Sequence, residues 1–124
     1  MEKRWSLKRG DFAAVGRWRK EFRTFMNEHL PADMVAHELV FGELVTNAVR
    51  YGEDPMSAAV TIRDGMTRID VESGGPGFDL YECLARTPTA NGGRGLHIVK
   101  NLSESLSAGH KQGDSFCVTA TLKL

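Results

Sequence analysis

Cysteine is scarce in this 124-residue chain: Cys83 and Cys117 are the whole complement. Two are too few to staple a small secreted fold, so a reduced-thiol, cytoplasmic protein is expected. Proline is sparse as well, at four residues, and no glycine period accompanies it. Collagen-like and proline-rich segments are thereby excluded. No stretch approaches the roughly 20 apolar residues of a membrane span, and Met1 to Lys8 hold no apolar core of the signal-peptide kind. No membrane partner is expected. An excess of charge of one sign is missing too. Sixteen Lys and Arg balance sixteen Asp and Glu, for a formal net charge of zero and a pI near 6.9. No global field favours a polyanion, and nucleic acid is not an expected partner. With 41% hydrophobic and 26% charged residues, the composition is that of one ordinary globular domain over 1–124.

Glycine is what the chain does carry, at 13 residues, and the placement says more than the number. Gly74-Gly75-Pro76-Gly77 forms one cluster and Gly92-Gly93 a second, with Gly95 close behind. Around them the chain reads as short elements without repeats or linkers. Arg4-Trp5-Ser6-Leu7-Lys8 alternates polar and apolar residues, which predicts an edge strand. From Asp11, read as a cap, Phe12, Val15, Trp18, Phe22, Phe25 and Met26 recur at helical spacing, which predicts an amphipathic helix. Pro31 suits the first turn of a second helix, carried by Leu39, Leu44, Val45, Ala48 and Val49 to Gly52, with Pro55 beyond. Its apolar residues reach nearly all the way round, so Glu43 and Asn47 stand out on it.

Residues 57–72 read as an antiparallel hairpin around Asp64-Gly65. The first glycine cluster follows directly, then a polar stretch through Ala90. The second cluster leads into Leu96, Ile98, Val99 and Leu102, a helical stripe. Ser105 to Ala108 suggests a short strand, Lys111 to Asp114 a turn, and Phe116, Val118, Ala120, Leu122 and Leu124 alternate strictly to the end. The order predicts an α+β two-layer sandwich: one mixed, mainly antiparallel sheet with helices on one face.

Three segments carry chemistry. Glu43 and Asn47, four apart on a helix, project from one face roughly 6 Å apart, so a carboxylate and an amide can converge on one ligand. An Asn carbonyl oxygen suits Mg2+, and a carboxylate beside it can accept a proton from a hydroxyl; a solvated helix face is the plain alternative. Ser73-Gly74-Gly75-Pro76-Gly77-Phe78-Asp79 follows an apolar strand, where glycines permit close ligand approach, although a reverse turn explains it nearly as well. Gly92-Gly93-Arg94-Gly95-Leu96 precedes a helix, where free amides, the helix dipole and the Arg94 charge favour an anion.

In this order and at these separations, the three segments resemble the nucleotide-binding boxes of the GHKL ATPases, the group containing gyrase, sensor histidine kinases and MutL. Glu43-Leu-Val-Thr-Asn47-Ala-Val-Arg-Tyr-Gly52 is similar to the N box. Ser73-Gly-Gly75-Pro-Gly77 is similar to the first glycine box and Gly93-Arg-Gly95-Leu96 to the second. The brief segment between Gly77 and Gly93, with Gly-Arg-Gly-Leu after it, most resembles the anti-sigma-factor serine/threonine kinases of bacterial partner-switching systems. The resemblance implies a Bergerat-type fold, ATP and Mg2+ as cofactors, Asn47 at the metal and Glu43 as catalytic base. It implies Gly75 and Gly77 at the adenine pocket, Gly93, Arg94, Gly95 and Leu96 over the phosphates, and Ser115 near the adenine. Two protein partners are implied: a STAS-domain antagonist that is phosphorylated, and a sigma factor or other regulator that is sequestered. A homodimer through the first helix is allowed on the same basis.

One position departs from the pattern. Ser73 stands where the family has an Asp that accepts a hydrogen bond from the adenine amino group. Serine is shorter and uncharged, and losing a charge-assisted bond corresponds to about 1.5–3 kcal/mol. The alternative reading is therefore a non-catalytic partner-binding module of the same fold, and a third is the detached ATPase half of a sensor histidine kinase, disfavoured because no dimerisation and phosphoacceptor hairpin is read in the sequence. The remaining candidates are read as bland. His37-Glu38 resembles a phosphoacceptor dipeptide but shares a helix with Glu43, and His29, His97 and His110 have no zinc-ligand spacing with the cysteines. Cys83 and Cys117 read as solvated thiols. Arg17, Arg19, Lys20 and Arg23 read as a solvated face, with partner docking as the sharper option.

Overall fold

A computed structural model describes residues 1–29, 33–86 and 94–124. Strand β1 (Glu2–Leu7) leads through a short 3-10 turn at Phe12–Ala14 into helix α1 (Val15–His29) and then helix α2 (Val35–Tyr51). Strands β2 (Glu53–Arg63) and β3 (Met66–Gly74) form the hairpin, with Asp64 and Gly65 at positive φ in its turn. Helices α3 (Leu80–Ala85) and α4 (Arg94–Leu102) follow, and strands β4 (Ser105–His110) and β5 (Phe116–Lys123) complete the chain.

The five strands lie in the order β1-β2-β3-β5-β4. The α+β architecture expected from the sequence is present, and every pairing is antiparallel, so the sheet is wholly antiparallel where a mixed, mainly antiparallel one was expected. Both sheet edges are strands with short reach, β1 as expected and β4. Alternation decides which side chains meet the helices. Trp5 and Leu7, Ala58 and Val60, Ile69 and Val71, and Val118 and Ala120 all fall on the covered face and are buried. Helix α2 lies at the centre of this layer. Phe41 on α2 stacks on Phe22 of α1 at 4.4 Å and tilts against Trp5 of β1 at 4.9 Å, joining both helices to the sheet in one aromatic cluster. Burying each such ring removes enough apolar surface to contribute about 1.5–3 kcal/mol.

Several local expectations change. Asp11 precedes the 3-10 turn but its side chain caps nothing. Pro31 lies outside the described residues; α2 begins at Val35, whose N–H donates to the Asp33 carboxylate at 3.0 Å. The polar stretch after Phe78 contains α3, capped by Asp79, whose carboxylate accepts from the Glu82 N–H at 3.1 Å. Asp79-x-x-Glu82 is a capping pattern that the sequence displayed and the glycine-box reading passed over.

The basic face of α1 is only partly solvated. Arg23 and Arg19 both reach Glu38 on α2, at 2.7 and 3.6 Å, and hold the carboxyl below its usual range, chiefly through the Arg23 hydrogen bonds. His37, beside Glu38, is buried and hydrogen-bonds through Nε2 to the Lys123 carbonyl at 3.1 Å. Cys117 is also buried, on the open face of the sheet beside Asp70 and Thr119, and burial pushes its thiol pKa up. The solvated-thiol reading fails for this residue because neighbouring polar side chains cover that face. Among the described residues no helix is long and apolar enough to cross a membrane.

Candidate functional site

The outward face of α2, the end of β3, the start of β5, the C-terminal part of α3 and the start of α4 enclose a cleft of about 860 Å³. Helix α2 supplies its long wall. Val40, Leu44, Val45 and Val49 anchor the helix in the core, and the 3.6-residue period then turns Glu43 and Asn47, both half-buried, into the cleft. The helix ends where the Gly52 N–H bonds the Ala48 carbonyl at 2.7 Å.

The first turn of helix α4 meets this wall. Arg94, Gly95 and Leu96 line the cleft, and Leu96 also packs on the core. A side chain at Gly95 would lie 2.7 Å from a Glu43 carboxylate oxygen, so the two helices touch here with only a hydrogen on Gly95. Arg94 at the first turn of α4 and Arg86 after α3 add two exposed guanidinium groups. His97 on α4 hydrogen-bonds through Nε2 to the Arg86 carbonyl at 3.0 Å, which ties the two sides together. This end combines a carboxylate, an amide, two cations and a helix N-terminus.

The opposite end is aromatic. Ser73 on β3 pairs with Phe116 on β5, and both line the cleft with Gly77, Phe78, Val71 and Val118. Gly77 has φ of 68°, and a Cβ there would run into the Phe116 ring. Phe116 in turn lies 5.0 Å from Phe78 and 5.2 Å from His110, and His110 hydrogen-bonds to the Pro76 carbonyl at 2.9 Å. The loop is thus held against a ring whose position is fixed on three sides. A flat apolar ligand fits this end, and an anionic one fits the other.

The structure therefore brings Glu43, Asn47, Ser73, Gly77, Arg94, Gly95 and Leu96 to one cleft. Gly75 and Ser115 are not on its wall as described, and Gly93 lies outside the described residues. Gly75, at φ of 86°, adjoins the cleft instead: the carboxylate of Glu53, a residue that does line it, occupies the space that a side chain at 75 would fill. Ser115 stays in the turn before β5, where its carbonyl accepts from the Lys111 N–H at 2.8 Å. Sequence reasoning missed Glu53, Cys83, Arg86 and Phe116 on the wall. Phe116 was legible as a core strand residue, but its place in the cleft follows from its register against Ser73.

The residues fit a magnesium polyphosphate in kind. Among the described residues no group of three His, Cys, Asp or Glu is arranged to hold a metal by itself. Asn47 offers one oxygen, which suits a cation that takes its remaining ligands from phosphate and water.

No curated protein matches the sequence. Two solved structures share the fold at 18% identity. The histidine kinase AdeS of Acinetobacter baumannii superposes with a TM-score of 0.59, over 98% of this chain and 67% of that one. The histidine kinase domain of the E. coli osmosensor EnvZ gives 0.54, over 97% and 90%. Residues 9–122 match the histidine kinase-like ATPase domain, and the chain belongs to that family.

Proposed function

We propose that this chain is an ATP-dependent serine/threonine protein kinase of the anti-sigma-factor type, which phosphorylates a STAS-domain antagonist and sequesters a sigma factor or other regulator. The observation that carries the kinase reading is the meeting of Glu43, Asn47 and the N-terminus of α4 at one end of a cleft whose other end is aromatic. The Gly93-Arg94-Gly95-Leu96 sequence and the short segment before it favour the serine/threonine class.

Mg2+ bound with ATP supplies charge neutralisation on the phosphates. The chain does the rest. Asn47 would hold the cation through its amide oxygen, Arg94 and the N-terminal amides of α4 would hold the terminal phosphates, and Phe116 with Gly77 would receive the base. Glu43 takes the proton of the acceptor hydroxyl at its carboxylate, an alignment worth about 10²–10⁴ in rate for a positioned base. Positioning carries most of the catalysis.

Calorimetric titration with Mg-ATP and Mg-ADP tests the binding. Absence of binding at millimolar nucleotide would eliminate the kinase reading and leave the non-catalytic module, which Ser73 favours. Where binding is seen, Glu43→Gln keeps it while phosphate transfer to the partner falls by about 10²–10⁴. A variant that still phosphorylates at the normal rate would remove Glu43 as the base.

A further inference from the structure

Two acids line the cleft, and they stand at different ends. Glu43 lies against Gly95 on the polar side. Glu53, the first residue of β2, lies against Gly75 on the aromatic side, where Ser73 also lines the cleft with a neutral hydroxyl. Three features put it there. The register of β2 against β3 shifts between Glu53 and Ser57, and Glu53 comes opposite Gly74. Gly75 has no side chain and takes a left-handed φ of 86°, which leaves the space that the Glu53 carboxylate fills. No Lys or Arg among the described residues pairs with that carboxylate.

A carboxylate at the rim of an aromatic slot accepts hydrogen bonds and donates none. It distinguishes a ring that carries an amino group from one that does not. A serine hydroxyl can donate or accept, so Ser73 alone makes no such distinction. We propose that Glu53 is the base-recognition residue of this cleft, accepting from the exocyclic amine of an aminopurine nucleotide across the Ser73–Gly75 strand end. The assignment rests on the nucleotide-binding reading above and deepens it: the acceptor comes from β2, a strand away from the glycine box.

The test compares ATP with purine riboside triphosphate, the same nucleotide without its amino group, by calorimetric titration of wild type and Glu53→Ala in magnesium buffer. A charged acceptor at an exposed rim predicts a wild-type preference for ATP of about tenfold. Glu53→Ala abolishes the preference by weakening ATP alone, and its affinity for purine riboside triphosphate stays within about twofold. Glu53→Gln, which keeps one acceptor oxygen without the charge, falls between. An unchanged thermal midpoint excludes misfolding. The proposal is overturned by a wild type that does not prefer ATP, by a Glu53→Ala that still does, or by an equal loss for both nucleotides. Failure of wild type to bind either triphosphate removes the nucleotide reading itself and is distinct from these outcomes.

Discussion

At the polar end of the cleft, the functional groups stand on one helix and the tip of another. At the aromatic end they come from three separate stretches of chain. Glu43 and Asn47 are one turn apart on α2, so helical geometry alone sets their spacing, and the buried stack of Phe41, Phe22 and Trp5 holds the helix in place. Ser73, Gly77, Phe116 and Glu53 meet only because β3 lies between β2 and β5 in a particular register. The first end is local and tolerant of small shifts at side-chain tips. The second is tertiary and leaves the loop no slack.

The largest expected difference between the ends follows from two glycine substitutions. Gly77→Ala places a methyl into the fixed Phe116 ring and forces an L-residue to a φ of 68°. It costs about 3 kcal/mol, from the left-handed backbone and the overpacking together, a large share of the ~5–15 kcal/mol available to such a domain. Gly95→Ala meets only the far end of the Glu43 side chain. Its effect on stability stays below about 1 kcal/mol, because better helix propensity offsets the crowding, while phosphate transfer falls as Glu43 is pushed aside. Denaturant unfolding of both variants checks the contrast, and equal losses of stability would break it.

The two thiols offer a second, smaller contrast. Cys83 is half-buried on the cleft wall, whereas Cys117 is buried under polar neighbours with its pKa raised by burial. Thiol labelling of the native protein at pH 7.5, about one unit below an ordinary thiol pKa, is expected to modify Cys83 first. Saturating Mg-ATP slows Cys83 and leaves Cys117 unaffected. Equal protection of both would mean that the ligand stiffens the whole domain and not the cleft alone.

His37 supplies the smallest effect, remote from both ends. Burial lowers its pKa below the usual 6.5, against a weaker opposing contribution from the Lys123 carbonyl. The folded protein therefore resists a proton that the unfolded chain accepts. Stability is unaffected above about pH 6.5 and declines as pH falls through that value toward the folded pKa. His37→Gln flattens this portion of the stability profile, measured by thermal unfolding between pH 7.5 and 5. A variant with the wild-type slope would assign the loss to other groups.

Legibility in the sequence follows the same division. The helical stripes, the hairpin at Asp64-Gly65 and the alternation of β5 could be read because each depends on residues a few positions apart. Glu43 and Asn47 could be read as a pair for a related reason, one helical turn setting their direction, whereas Gly95 joined them only through the resemblance of the glycine boxes. Helix α3 was missed although Asp79-x-x-Glu82 announces it, since six residues make too short a stripe to detect by period. The Cys117 reading failed because alternation tells which face a side chain takes and not whether that face is covered.

The sequence by itself determined the helix and strand order apart from α3, the face of the sheet that meets the helices, and the polar pair on α2, all of which follow from periods of 3.6 and 2. Only the tertiary structure decided that every strand pair is antiparallel, that Arg19 and Arg23 tie α1 to Glu38, and that Phe116 and Glu53 complete the cleft. Those contacts join residues 15 to 43 positions apart and more. Strand register and chain crossing bring such residues together, and neither is encoded in the spacing of any short segment.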